Sequence, residues 1–153
     1  MSPFPPTREL LPHGGKMALV GAVLDHGPTH TVCAVDPAES ELFRESDGSV
    51  PAWLAIEYMA QCIGVHAGLE KHARGAGPNL GFFVGSRRTV LHADRFAPGE
   101  HLRVRADAVR EGGGLVIFAC RVERAADAAL LAEGLVSVFE PRNPQSLLLG
   151  SPQ

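Results

Sequence analysis

Cysteine is scarce. The 153 residues hold three, Cys33, Cys62 and Cys120, widely spaced and odd in number. No CxxC pair and no disulfide framework can be drawn from them, which points to a reducing compartment such as the cytosol. Basic charge is not in excess either. The formal net charge is −3, so nucleic acid is not favoured as a bulk partner. The start, Met-Ser-Pro-Phe-Pro-Pro, has no basic stretch followed by an apolar run, and a secretory leader is not expected. The seven histidines show no HxH or HExxH spacing, so neither a metal site nor a cofactor is expected. Gly112-Gly113-Gly114 lacks the strand-to-helix setting of a phosphate loop. A Gly-x-Ser-x-Gly elbow is missing, and with it the usual signature of a serine nucleophile.

What the chain does have is one long segment that is apolar almost all the way round. It runs Pro51-Ala-Trp-Leu-Ala-Ile-Glu57-Tyr-Met-Ala-Gln61-Cys-Ile-Gly64-Val-His66-Ala-Gly68-Leu69. A helix of this composition must be covered on nearly every side. Pro51 suits the first helical position, and Val50 before it is biased to extended backbone. Glu57, Gln61 and His66 inside the segment argue for a core helix and against a membrane span. Four small residues, Ala60, Gly64, Ala67 and Gly68, offer places for another backbone to approach. A carboxylate in such surroundings is costly unless paired or able to hold a proton, so Glu57 is the leading candidate for chemistry.

Around the helix the sequence reads as strands. Met17–Asp25 and Thr29–Asp36 form a hairpin about His26-Gly27-Pro28. Leu80–Val90, Leu102–Arg110, Leu115–Glu123 and Leu130–Phe139 follow, with turns at 97–99, 112–114 and 125–127. Residues 1–7 read as an irregular arm, Arg8–Leu11 as a short helical turn, and 141–153 as a tail. One α+β domain over 1–153 is expected. Its antiparallel sheet of five or six strands curls round the helix, and a second copy closes the side left open.

Three blocks carry a family resemblance. They are Leu11-Pro12-His13 with Met17-Ala-Leu-Val-Gly-Ala-Val23, then Ala55-Ile-Glu-Tyr-Met-Ala-Gln61, then Gly81-Phe-Phe-Val-Gly85 with Arg95-Phe-Ala-Pro-Gly-Glu100. Over residues 9–140 the chain resembles the β-hydroxyacyl-acyl carrier protein dehydratases of the hot-dog fold. The helix block is most similar to the branch found in aryl polyene pigment and related type II polyketide pathways. The common dehydratases place a histidine in a Gly-His-Phe-Pro segment before this helix. Here residues 43–51 contain none.

The resemblance implies dehydration of a 3-hydroxyacyl thioester to the 2-enoyl thioester. That chemistry needs a base at the carbon beside the carbonyl, an acid for the departing hydroxyl, and a donor to the carbonyl oxygen. Glu57 suits the acid. His13, in the matched opening block, is the candidate base. Amides at the helix start, around Ala52 to Leu54, suit the third role. Trp53, Leu54, Gln61, Phe83 and Gly85 are the expected substrate wall, with Gln61 one turn after Glu57 and placed to orient it or to span the dimer contact. His66 lies about half a turn round the helix from Glu57 and reads as a hydrogen-bonded core histidine. His92 and His101 read as solvated.

Residues 87–110 hold six arginines against three acids. Arg87 and Arg88, following the strand that would line the acyl channel, are the expected contacts for an acidic carrier protein and its phosphopantetheine. The partners implied are a second copy of the chain, or a related dehydratase in a hetero-oligomer, and the acyl carrier protein. Two other functions fit the same fold: an acyl thioesterase using the helix carboxylate alone, and a non-catalytic acyl-binding subunit beside an active homologue.

Overall fold

The structure, a computed structural model, describes residues 3–11, 15–73 and 82–139, the side chains of 82–84 excepted. A four-residue helix α1 (Thr7–Leu10) and a 3-10 turn (Gly15–Met17) lead into β1 (Val23–His26) and β2 (His30–Val35). Two further 3-10 turns and the two-residue strand β3 (Val50–Pro51) precede the central helix α2 (Ala55–Ala73). Then come β4 (Phe82–Leu91), β5 (Arg95–Phe96), β6 (Leu102–Gly112), β7 (Leu115–Arg124) and β8 (Leu130–Phe139).

Six strands form one antiparallel sheet in the order β1-β2-β6-β7-β8-β4, and β3 pairs with β5 in a small second ladder. Alternation in the sequence sets the inner face. Thr31, Cys33 and Val35 of β2, Leu102, Val104 and Ala106 of β6, and Phe118, Cys120 and Val122 of β7 all point inward and are buried. Arg103 and Arg105 occupy the alternate positions of β6 and point outward, half-buried. Against this face lies α2, touching β2, β6, β7 and β8. Its Tyr58, Met59, Cys62, Ile63 and Val65 are at most 2% exposed. The Tyr58 hydroxyl bonds to Ser40 Oγ at 2.8 Å, and its ring stacks on Phe96. The three cysteines are buried and unbridged.

Two details depart from the sequence reading. The α-helix begins at Ala55, not Pro51, because a 3-10 turn over Ala52–Leu54 comes first and Pro51, with ψ 142°, belongs to β3. Glu57 therefore sits in the first turn of α2. The first long strand is shorter than expected. Residues 17–22 are tied to α2 by side-chain bonds, and only Gly21 and Ala22 exchange backbone bonds with Ala34 before β1 begins. Where described, the irregular arm packs Phe4 against the core. One side of α2 is left open by this chain. Ile56, Glu57, Ala60, Gly64 and Ala67 form a half-buried strip along one side, with the more exposed Trp53 at its head.

One small residue of α2, Gly68, does receive another backbone. A Cβ there would stand 2.7 Å from the carbonyl oxygen of Leu10, while one on Gly64 would stand 3.0 Å from the side-chain atom Leu11 Cδ2. The segment ending in α1 lies this close to the helix because position 68 is glycine. At the opposite end of the sheet, Gly113 and Gly114 both take positive φ and close the β6–β7 hairpin.

Candidate active site at the start of the central helix

Gln61 organises this end of the molecule. Its Oε1 accepts the backbone amide of Leu19 at 2.7 Å. Its Nε2 donates to the Met17 carbonyl at 2.7 Å and to Glu57 Oε1 at 3.0 Å. Both amide hydrogens and the carbonyl oxygen are thus engaged, and the residue is 1% exposed. Gln61 was expected on the substrate wall and as a residue that orients Glu57. Its Nε2 bond reaches Glu57 from one helical turn away. The 17–19 segment is the part of this cluster that the sequence did not announce.

Glu57 itself is half-buried, at the edge of the strip on α2. Trp53, four residues earlier on the same side, is 53% exposed and meets the Phe43 ring edge-to-face at 6.0 Å. Leu54 is 1% exposed and belongs to the core, so its expected place on the substrate wall is not borne by this chain's surface. The amide donors at the helix start are fewer than expected. Ala52 N–H donates to the Asp94 carbonyl at 3.0 Å, leaving Trp53 and Leu54 as the remaining amides of that turn.

His13 lies outside the described residues. On either side of it, Leu11 rests over Gly64, and Met17 is bonded to Gln61. The side chain of Phe83 is likewise outside the description, while its backbone pairs with Val138 in β4. Gly85 follows at an irregularity in the same ladder, half-buried, with open space where a Cβ would be. Arg87 and Arg88 are exposed on β4, the edge strand of the sheet. A second irregularity begins after Arg87, and Arg88 adopts φ 54° there, a left-handed conformation uncommon for a non-glycine residue. Among the described residues neither arginine has an acidic partner, whereas Arg95, Arg105, Arg121 and Arg124 are each ion-paired.

The other histidines divide as expected on burial. His92 and His101 are exposed, His92 bonding to Glu133 at 2.8 Å. His66 is 7% exposed and its Nδ1 lies 2.8 Å from Thr31 Oγ1. Burial, foremost, and the neighbouring His26 hold its imidazole below the usual value of 6.5. Beside it stand His26 and Glu70, with one potential ligand atom from each of the three within 4.8 Å of the others. The sequence reading passed over this group. The available signal was His66-x-x-x-Glu70, four apart on one helix.

The family model of the ApeP dehydratases, the ApeP-like family, matches residues 5–149. The chain belongs to the ApeP-like dehydratases. Among solved structures, a chain of the dehydratase heterocomplex ApeI:P from Xenorhabdus doucetiae is similar over 95% of this chain and 97% of its own. The identity is 25% and the TM-score 0.85. Zebra fish thioesterase superfamily member 2 is 15% identical over 88% of this chain and 93% of its own, at a TM-score of 0.67. A hypothetical thioesterase from Streptococcus pneumoniae, solved with coenzyme A, is 9% identical over 78% and 84%, at 0.61. The last two share the fold alone. No curated protein matches the sequence. The architecture is the hot-dog fold, with α2 as its central helix. Among the described residues no helix is long and apolar enough to cross a membrane.

Proposed function

We propose that this ApeP-like dehydratase removes water from a 3-hydroxyacyl thioester carried on an acyl carrier protein, giving the 2-enoyl thioester during fatty acid, polyketide or aryl polyene synthesis in the cytoplasm. The observation that supports it is the held carboxylate. Glu57 sits in the first turn of α2, and the buried Gln61 amide fixes it. Glu57 protonates the departing hydroxyl. His13 takes the proton from the carbon next to the carbonyl, an assignment helped by the anchoring of both its flanks on α2, at Gly64 and Gln61. Trp53 or Leu54 N–H donates to the carbonyl oxygen, on which charge builds. Arg87 and Arg88, exposed and without acidic partners among the described residues, receive the carrier and its phosphate. The whole chain acts as one domain.

The half-buried strip of Ile56, Ala60 and Gly64, headed by the exposed Trp53, asks for a cover. A second hot-dog subunit laid on it would bury Glu57 as an acid requires. That subunit is another copy or a related dehydratase. ApeI:P of Xenorhabdus doucetiae is a dehydratase heterocomplex, which favours the second arrangement.

The test offers a 3-hydroxyacyl carrier thioester to the purified chain, alone and with a related dehydratase, and follows products by mass spectrometry. Enoyl thioester is expected, and Glu57→Gln should lower its rate by ~10²–10⁴-fold with the fold intact. Free acid would assign a thioesterase. No product in either setting, with the acyl carrier still bound, would assign a binding subunit.

A further inference from the structure

On the side of α2 away from Gln61, one threonine hydroxyl stands between two histidines. Thr31 Oγ1 lies 2.9 Å from the His30 carbonyl oxygen and 2.8 Å from Nδ1 of both His26 and His66. When the hydroxyl proton goes to the carbonyl, both rings donate from Nδ1 and both Nε2 atoms are lone pairs. His26 Nε2 stands 3.4 Å from Glu70 Oε1. In that tautomer a cation, either a proton or a metal ion, joins the two.

The donor set favours the metal. Two imidazole nitrogens and a carboxylate oxygen are ligands that zinc takes in open, three-residue sites. Ligand atoms at ~2.0–2.2 Å from a tetrahedral ion stand ~3.3–3.6 Å apart, and the His26–Glu70 separation of 3.4 Å already matches. The remaining pairs, all within 4.8 Å, close by side-chain rotation of little more than an ångström. Thr31 supplies the outer hydrogen bonds that orient ligating histidines and fix their tautomer. Phe4 and Phe118 pack edge-on against the His26 and His66 rings. His66 and Glu70 also line a cleft of ≈ 350 Å³ together with Lys71, Glu111 and Phe118, so the fourth ligand position opens onto accessible space.

We infer that His26, His66 and Glu70 form a binding site for a divalent transition metal of the zinc type, oriented by Thr31 and open to the adjoining cleft. The site lies apart from the Glu57 cluster and does not rest on the proposed dehydration. The untagged full chain, stripped with chelator, is titrated with zinc by calorimetry and with cobalt by visible absorption. One zinc per chain is expected, with the intense bands of four-coordinate cobalt. Thr31→Val should weaken binding by ~10–100-fold, and Glu70→Gln and His26→Ala by at least as much. The melting temperature of metal-free Glu70→Gln checks the fold, since His66 is too buried to be the only variant. His92→Ala, in the exposed pair with Glu133, should change nothing. Affinity weaker than about 100 µM, or binding that survives both Glu70→Gln and His26→Ala, would overturn the inference.

Discussion

Two polar clusters share one apolar helix, and they are built on opposite plans. At the start of α2, Gln61 spends every hydrogen-bonding group it has, on Met17, Leu19 and Glu57. The product of that cluster is a carboxylate held in place. Toward the other end, Thr31 is equally well used, but it stands between two imidazoles, one of which faces a carboxylate. That cluster gathers three potential ligand atoms within 4.8 Å of one another. A buried amide fixes the geometry of one side chain, whereas a buried threonine between two histidines orients a pair of ligands.

The largest way to break this contrast is to disturb what both clusters share, the seating of the chain on α2. Gly68→Val would drive a side chain into the Leu10 carbonyl, 2.7 Å from where the Cβ must go. Backbone cannot rotate out of the way as a side chain can. Overpacking of this kind costs ~1–3 kcal/mol, occasionally more, and α1 should lift from the helix. Denaturant unfolding is expected to show a loss of about 3 kcal/mol. Hydrogen exchange should show faster exchange confined first to residues 7–11. Unchanged stability would mean that α1 does not need α2 as its seat.

Gln61→Leu sharpens the comparison at one cluster alone. The replacement keeps the apolar volume and leaves the Leu19 N–H without its acceptor, which costs ~1–3 kcal/mol. Dehydration should fall through kcat, since Glu57 loses its anchor while the surfaces that bind the acyl chain stay. Zinc affinity at the second cluster should not change. A rise in KM alone would place Gln61 in substrate binding after all, against its 1% exposure.

Much of this was readable from residues, and the reasons are physical. The order of strands and helix follows from period-2 runs such as Leu102-Arg-Val-Arg-Ala106 set against a continuous apolar helix. Glu57 and Gln61 stood out because polar groups in such a helix must have partners. The helix start was harder, because Pro51 is as well suited to the last extended residue as to the first helical one. Leu54 was expected on the substrate wall, yet at the end of the 3-10 turn it is buried in this chain. The role of Met17 and Leu19 was invisible, since they act through their backbone atoms. His26 and Thr31 escaped notice because β1 and β2 bring them to His66 and Glu70 across 35 or more residues of chain.

The smallest effect belongs to His66, and its sign follows from burial. Removal from water disfavours the imidazolium, and His26 adds to this, so the folded ring takes up its proton at lower pH than the unfolded one, for which the value is 6.5. Below 6.5 the unfolded chain therefore binds more protons than the folded chain, and acid favours unfolding. The stabilisation is full above 6.5 and is lost as pH falls through the folded value. Denaturation in chelator, from about pH 8 down to about pH 5, should show stability declining through this window with a slope of at most one proton from this group. His66→Gln, which keeps a bond to Thr31 and cannot titrate, should flatten that slope. An equal slope in wild type and His66→Gln would mean that the buried histidine carries no proton linkage.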